Sequence, residues 1–70
     1  MNYAFGISDA DAKLFEYALT YSRGYIGIHQ HPQGAMVVCD SQINAEFLRS
    51  VMEHAGCNVG KEVHEFCTEK

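Results

Sequence analysis

The apolar residues of this chain change their spacing four times, and each change falls on a residue that starts or stops secondary structure. Tyr3, Phe5 and Ile7 alternate with period two, so residues 2–7 read as a strand with one buried side. Ser8 then opens Ser-Asp-Ala-Asp, an N-cap with an acid three residues on, which approximates a capping box. Asp9 and Asp11 sit where the positive end of a helix favours negative charge. Leu14, Ala18 and Tyr21, flanked by Phe15 and Leu19, form a stripe at helical spacing, so a helix is expected over residues 9–22, with Gly24 as its left-handed C-cap. Residues 25–31 and 35–40 read as a hairpin turning at His31-Pro32-Gln33-Gly34. Asp40 and Ser41 cap a second helix to about Ala55, with Ile43, Phe47, Leu48, Val51, Met52 and Ala55 as its buried stripe and Gly56 at its end. A last strand is expected over residues 58–67.

The order is β-α-β-β-α-β. Two right-handed crossovers around a central hairpin make a ferredoxin-like α+β sandwich: a four-stranded antiparallel sheet in the order 4-1-3-2 with both helices on one face. It is expected to occupy residues 1–70 as a single domain. The rival arrangement frays the first strand and leaves a three-stranded sheet.

If both helices cover one face, the other is bare. Alternation points Phe5, Ile7, Ile26, Ile28, Met36, Val38, Val59 and Val63 toward the helices. Ala4, Tyr25, Gly27, His29, Val37, Cys39, His64 and Phe66 then face outward, a set too apolar for water alone. Tyr25, His29, Val37, Cys39, His64 and Phe66 are therefore the expected partner-binding surface. A domain of 70 residues buries only about 60% of its unfolded surface and leans on oligomers, metals or disulfides. A two-fold homodimer is expected, through stacked open faces or paired edge strands. The second strand carries no charge before its turn and is the freer edge, whereas Lys61, Glu62 and Glu65 guard the fourth.

Charge narrows the partners. Nine acidic side chains against five basic ones leave a net charge of −4, and charging all four histidines would cancel it. Histidines titrate near pH 6.5 when unperturbed, so solubility or association should change on mild acidification. Lys13, Arg23, Arg49, Lys61 and Lys70 are scattered, which argues against nucleic acid. Asp9, Asp11, Glu16, Glu46, Glu53, Glu62, Glu65 and Glu69 suit a basic protein partner. No apolar run approaches the ~18 residues of a membrane span, and three cysteines without a leader read as reduced, cytoplasmic thiols, the alternative being a Cys57–Cys67 or intermolecular bridge.

Chemistry is sparsely marked. His29, His31, His54, His64 and the cysteines are possible metal ligands, but there is no Cys-x-x-Cys or His-Glu-x-x-His, and His64 is expected three strand spacings, ~14 Å, from His29. Cys39 reads as a small apolar residue, and Cys57 follows a helix C-terminus, which raises a thiol's pKa. No catalytic residue, metal or cofactor is expected. Arg23-Gly24-Tyr25-Ile26-Gly27-Ile28 resembles the opening of the RNA-recognition-motif signature, a family that stacks bases on open-face aromatics. Here the segment follows the first helix rather than lying on the third strand, and Gly27 replaces the second aromatic. The copper-chaperone metal loop and the anion loop of acyl-phosphate hydrolases are missing.

The expected function is a small acidic, non-enzymatic protein-binding module, homodimeric, that inhibits or regulates a partner by docking on a basic, nucleic-acid-binding surface, as a phage-type inhibitor of host defence does. The alternatives are a small-ligand or metal sensor on the open face, using His29, His31 and Cys39, and a single-stranded RNA binder using Tyr25 and Phe66.

Overall fold

The computed structural model describes residues 1–67. The elements are β1 (Asn2–Ile7), α1 (Asp9–Leu14), α2 (Glu16–Thr20), β2 (Tyr25–His31), β3 (Gly34–Cys39), α3 (Gln42–His54) and β4 (His64–Phe66). They form an α+β domain with a four-stranded antiparallel sheet in the order β2-β3-β1-β4.

Capping starts the helices as the residue pattern requires. Ser8 Oγ accepts the Asp11 N–H (3.2 Å) and Ser41 Oγ accepts the Asn44 N–H (3.2 Å). The helix expected over residues 9–22 is two short ones hinged at Phe15, whose backbone (φ −106°, ψ 14°) leaves the helical region while its ring turns into the core. Hydrogen bonds from Phe15 N–H to Asp11 O (3.0 Å) and from Leu19 N–H to Phe15 O (2.8 Å) carry the ladder across the hinge. Gly24 follows at φ +78°, and a Cβ there would collide with the Asn44 and Asp40 side chains, so the end of α2 and the start of α3 fit together only around a glycine.

The fourth strand is much shorter than expected: β4 has three residues, and Lys61 and Glu62 precede it rather than belonging to it. Upstream of β4 the chain touches the sheet through an isolated Ile7–Val59 bridge and the Gly60 N–H to Gly6 O bond (2.8 Å). The first strand is not frayed; it pairs on both sides.

The hairpin register decides the faces. Pro32 and Gln33 alone connect β2 to β3, so His31 pairs with Gly34, His29 with Met36 and Ile28 with Val37. A bulge at Ile26 then brings Tyr25 opposite Cys39. The rows Tyr3–Cys39–Tyr25 and Phe5–Val37–Ile28 face the helices. This corrects the expected faces. Tyr25, Val37 and Cys39 belong to the helix side, and Met36 and Val38 to the open side, because a one-residue change of register moves a whole strand's side chains to the opposite face. Ile26, expected under the helices, is the extra residue of the bulge and is exposed.

One core results. Phe5, Ile7, Ala35, Val37 and Cys39 of the sheet pack with Ala12, Leu19, Ala45, Leu48 and Met52 of the helices, and Tyr3, Phe15, Tyr25, Ile28, Val59 and Val63 close its margins.

Candidate interaction surface

The six residues expected to form one outward surface are split between two environments. Val37 and Cys39 have no exposed surface. Tyr25 is half-buried against the core, and its phenol is pushed above its ordinary pKa by burial, then by the charges of Glu16 and Cys39. His29, His64 and Phe66 do lie on the open side. Tyr25 and Phe66 therefore lie on opposite faces of the sheet and do not form one stacking platform for bases.

The open side is also less bare than its composition suggests. His29 on one edge strand and Phe66 on the other lean inward until their ring centroids are 4.9 Å apart, tilted by 58°. Between those edges, Ala4 and Val38 of the central strands are fully buried. Small residues allow this: Gly27 pairs with Val38 and Gly6 with Met36, so the glycines add no side chain to that face beside Ala4 and Val38. The ~14 Å between edge backbones is bridged by the length of the two side chains, a reach that strand spacing alone does not count. Beyond the rings, an open depression is lined by Gly6, Met36, Gly60, His31 and His64.

The described residues contain no group of three or more His, Cys, Asp or Glu side chains placed to hold a metal ion. His31 Nδ1 accepts the Gln33 N–H (3.3 Å), closing the hairpin turn. His54 Nδ1 lies 2.8 Å from Ser50 O and donates to it, since a carbonyl only accepts. All three cysteines are free; Cys39 and Cys57 are buried and Cys67 is exposed. Burial, aided by the Asp40 charge, pushes the Cys39 thiol up to about 11. Burial, then the Asp11 charge, raises the Cys57 thiol. Neither is in the electropositive, accessible setting a nucleophilic thiol needs.

The acidic residues also divide. Asp11 is a structural group: its carboxylate accepts the Ser8 hydroxyl (2.9 Å) and the Asn58 N–H (2.8 Å), tying the start of α1 to the segment after α3. Glu53 pairs with Arg49 (3.1 Å), whose Nε donates to Gly60 O (2.7 Å). Glu46 accepts from Gln42 Nε2 (3.0 Å) in solvent. Asp9, Glu16, Glu62 and Glu65 are exposed. Glu69 lies outside the described residues.

Six of the eight large exposed apolar side chains among the described residues belong to the helix layer, the other two being Met1 and Ile26. Leu14 (74% exposed), Tyr17 (77%) and Tyr21 (72%) lie on α1, α2 and the residue that caps α2; Ile43 (78%), Phe47 (69%) and Val51 (45%) lie on α3. Five of these six were expected in buried stripes. On α3 the residues that reach the sheet are Ala45, Leu48 and Met52. The reason is arithmetic: α3 carries apolar residues on two adjacent faces, and a flat sheet covers only one. That excess was the available signal, and Tyr17 fits it too, its ring tilted by 60° against that of Tyr21 one turn later with centroids 4.9 Å apart.

The two rows share one layer. Residues from α1, α2 and α3 join the same core on the same side of the sheet. Asp11–Asn58 ties the start of α1 to the end of α3, and Asp40 N–H to Gly24 O (2.9 Å) ties the start of α3 to the end of α2, so the helices run antiparallel. Arg49 leans toward Gly60, which puts Phe47 and Val51 on the opposite flank of α3, toward α1 and α2.

No family model, no curated protein and no solved structure matches this chain.

Proposed function

We propose that this chain is a cytoplasmic, non-enzymatic protein-binding module of ferredoxin-like architecture. It works through the outer face of its helix layer and docks on a basic surface of its partner. The strand order β2-β3-β1-β4, with the helices on one side, supports the architecture. The observation that carries the function is the placement of six large apolar side chains in two antiparallel rows on that face, with exposed Glu16 and Glu46 beside Tyr17 and Phe47. Apolar contact supplies affinity, and the acidic surround steers the encounter toward a cationic target. A nucleic-acid-handling enzyme presents such a target in its substrate groove, and a bound acidic domain would inhibit it by occupation.

The test is capture of the partner from the native host, followed by affinity measurements with the purified partner across a salt series. Affinity is expected to fall as salt rises, and to fall again with Glu16→Lys and Glu46→Lys. An affinity indifferent to both salt and charge reversal defeats the proposal.

A further inference from the structure

We propose that a second copy of this chain covers the outer helix face, in a two-fold dimer where α3 packs antiparallel on its counterpart and the two cross at Phe47. The inference rests on the reading of that face as a contact surface and names the occupant it takes in the purified protein.

Three observations converge on a copy of the same chain. The first is area. At their observed exposures, the six side chains leave roughly 800 Å² in water, counting about 150–250 Å² for a large side chain. Summed over both rows, that matches the ~800 Å² each partner gives to a standard interface. The second is symmetry. Ile43, Phe47 and Val51 are evenly spaced, one residue per turn, about Phe47. A two-fold axis at Phe47 sets Ile43 of one copy against Val51 of the other, and the reverse, which is the reciprocal matching an isologous interface demands. The third is rigidity. The face belongs to helices clamped at both ends, by Asp11–Asn58 and by Asp40–Gly24, and the Tyr17 and Tyr21 rings are already in tilted contact, so little order has to be gained on association.

The acidic residues do not oppose this arrangement strongly. Glu46 and Glu53 sit on the flank of α3 away from α1 and α2, so they fall at the rim, in solvent, where like charges are screened beyond about 8 Å at physiological salt. The dimer therefore tightens as salt rises, the opposite of docking on a basic partner.

Sedimentation of the wild-type chain between about 1 and 100 µM tests the dimer. Wild type is expected to dimerise, more tightly at higher salt, and Phe47→Glu to weaken the dimer about 100-fold or more, with an unchanged circular dichroism spectrum because Phe47 is mostly solvent-exposed. Ile43→Lys and Val51→Glu are each expected to be monomeric alone and to form a heterodimer when mixed, because the crossing places residue 43 of one chain against residue 51 of the other. A monomeric wild type, a dimer insensitive to Phe47→Glu, one that weakens with salt, or a mixture that stays monomeric overturns the proposal. Capture of a basic partner by a monomeric chain would leave the proposed function standing while removing the dimer; a dimer that the partner displaces from this shared face with no dependence on salt or charge reversal would do the reverse.

Discussion

The imidazole of His29 and the ring of Phe66 meet 4.9 Å apart although their strands are the two outer ones of the sheet. They roof the open side over Ala4 and Val38, which without them would meet water. Phe66→Ala is expected to destabilise the fold by about 1–2 kcal/mol, below the ~3–5 kcal/mol of a fully buried phenylalanine because Phe66 is only half-buried. Urea denaturation measures the difference. Loss of the ring is also expected to speed amide exchange in β4, which has only three residues of pairing to hold it.

Acid should loosen the joint between α1 and the segment after α3. The Asn58 N–H, then the Ser8 hydroxyl, hold Asp11 below its ordinary carboxyl value of 3.8. A carboxyl depressed in the folded state binds its proton more readily in the unfolded chain. Its contribution is thus complete above the unfolded value and disappears as pH falls through the folded one. Thermal midpoints of wild type are expected to drop more steeply below about pH 4 than those of Asp11→Asn, which has no proton to take up there. Parallel curves would show that Asp11 is not linked to folding.

Thiol accessibility checks the corrected face of β3. With Cys39 and Cys57 buried and Cys67 exposed, a disulfide reagent is expected to react at once with one thiol of the native protein and with all three after denaturation. Had Cys39 faced outward, as plain alternation implied, two would react in the native state. Burial at Cys39 raises its thiol to about 11, which slows attack further at neutral pH.

Gly24→Ala is expected to cost at least about 1–2 kcal/mol. The position needs φ +78°, and an added Cβ runs into Asn44 and Asp40, whose mutual hydrogen bond (2.9 Å) keeps them from moving aside freely. Thermal or urea melts of the variant give the number. An alanine tolerated without loss would mean that the start of α3 can shift.

Where capping and turn chemistry write a boundary, the residues alone reveal it: Ser8, Ser41 and the Pro32-Gln33 turn mark the ends they were expected to mark, whereas Gly24, expected as a C-cap, lies in the turn beyond Tyr21, which caps α2 after Thr20. What stayed hidden is phase. Ala35-Met36-Val37-Val38-Cys39 is apolar at every position, so alternation cannot say which residues look toward the helices. Only the short turn and the bulge at Ile26 fix it, and a bulge leaves no mark in composition. The same ambiguity affects α3, where two apolar faces compete for one sheet and Phe47 loses to Leu48. The expected site failed at Tyr25, Val37 and Cys39 for the first reason, and the exposed helix rows were missed for the second.

The kink that Ile26 puts into β2 has a further effect. β2 is a seven-residue outer strand without a formally charged residue, so nothing in its composition repels a passing peptide. An unbroken strand of that length would be a rail along which foreign chains could zip. The bulge at the strand's second residue breaks the rail's spacing and leaves Ile26 exposed, so the regular run is Gly27–His31, shorter than the six- or seven-residue segments that stack into fibrils.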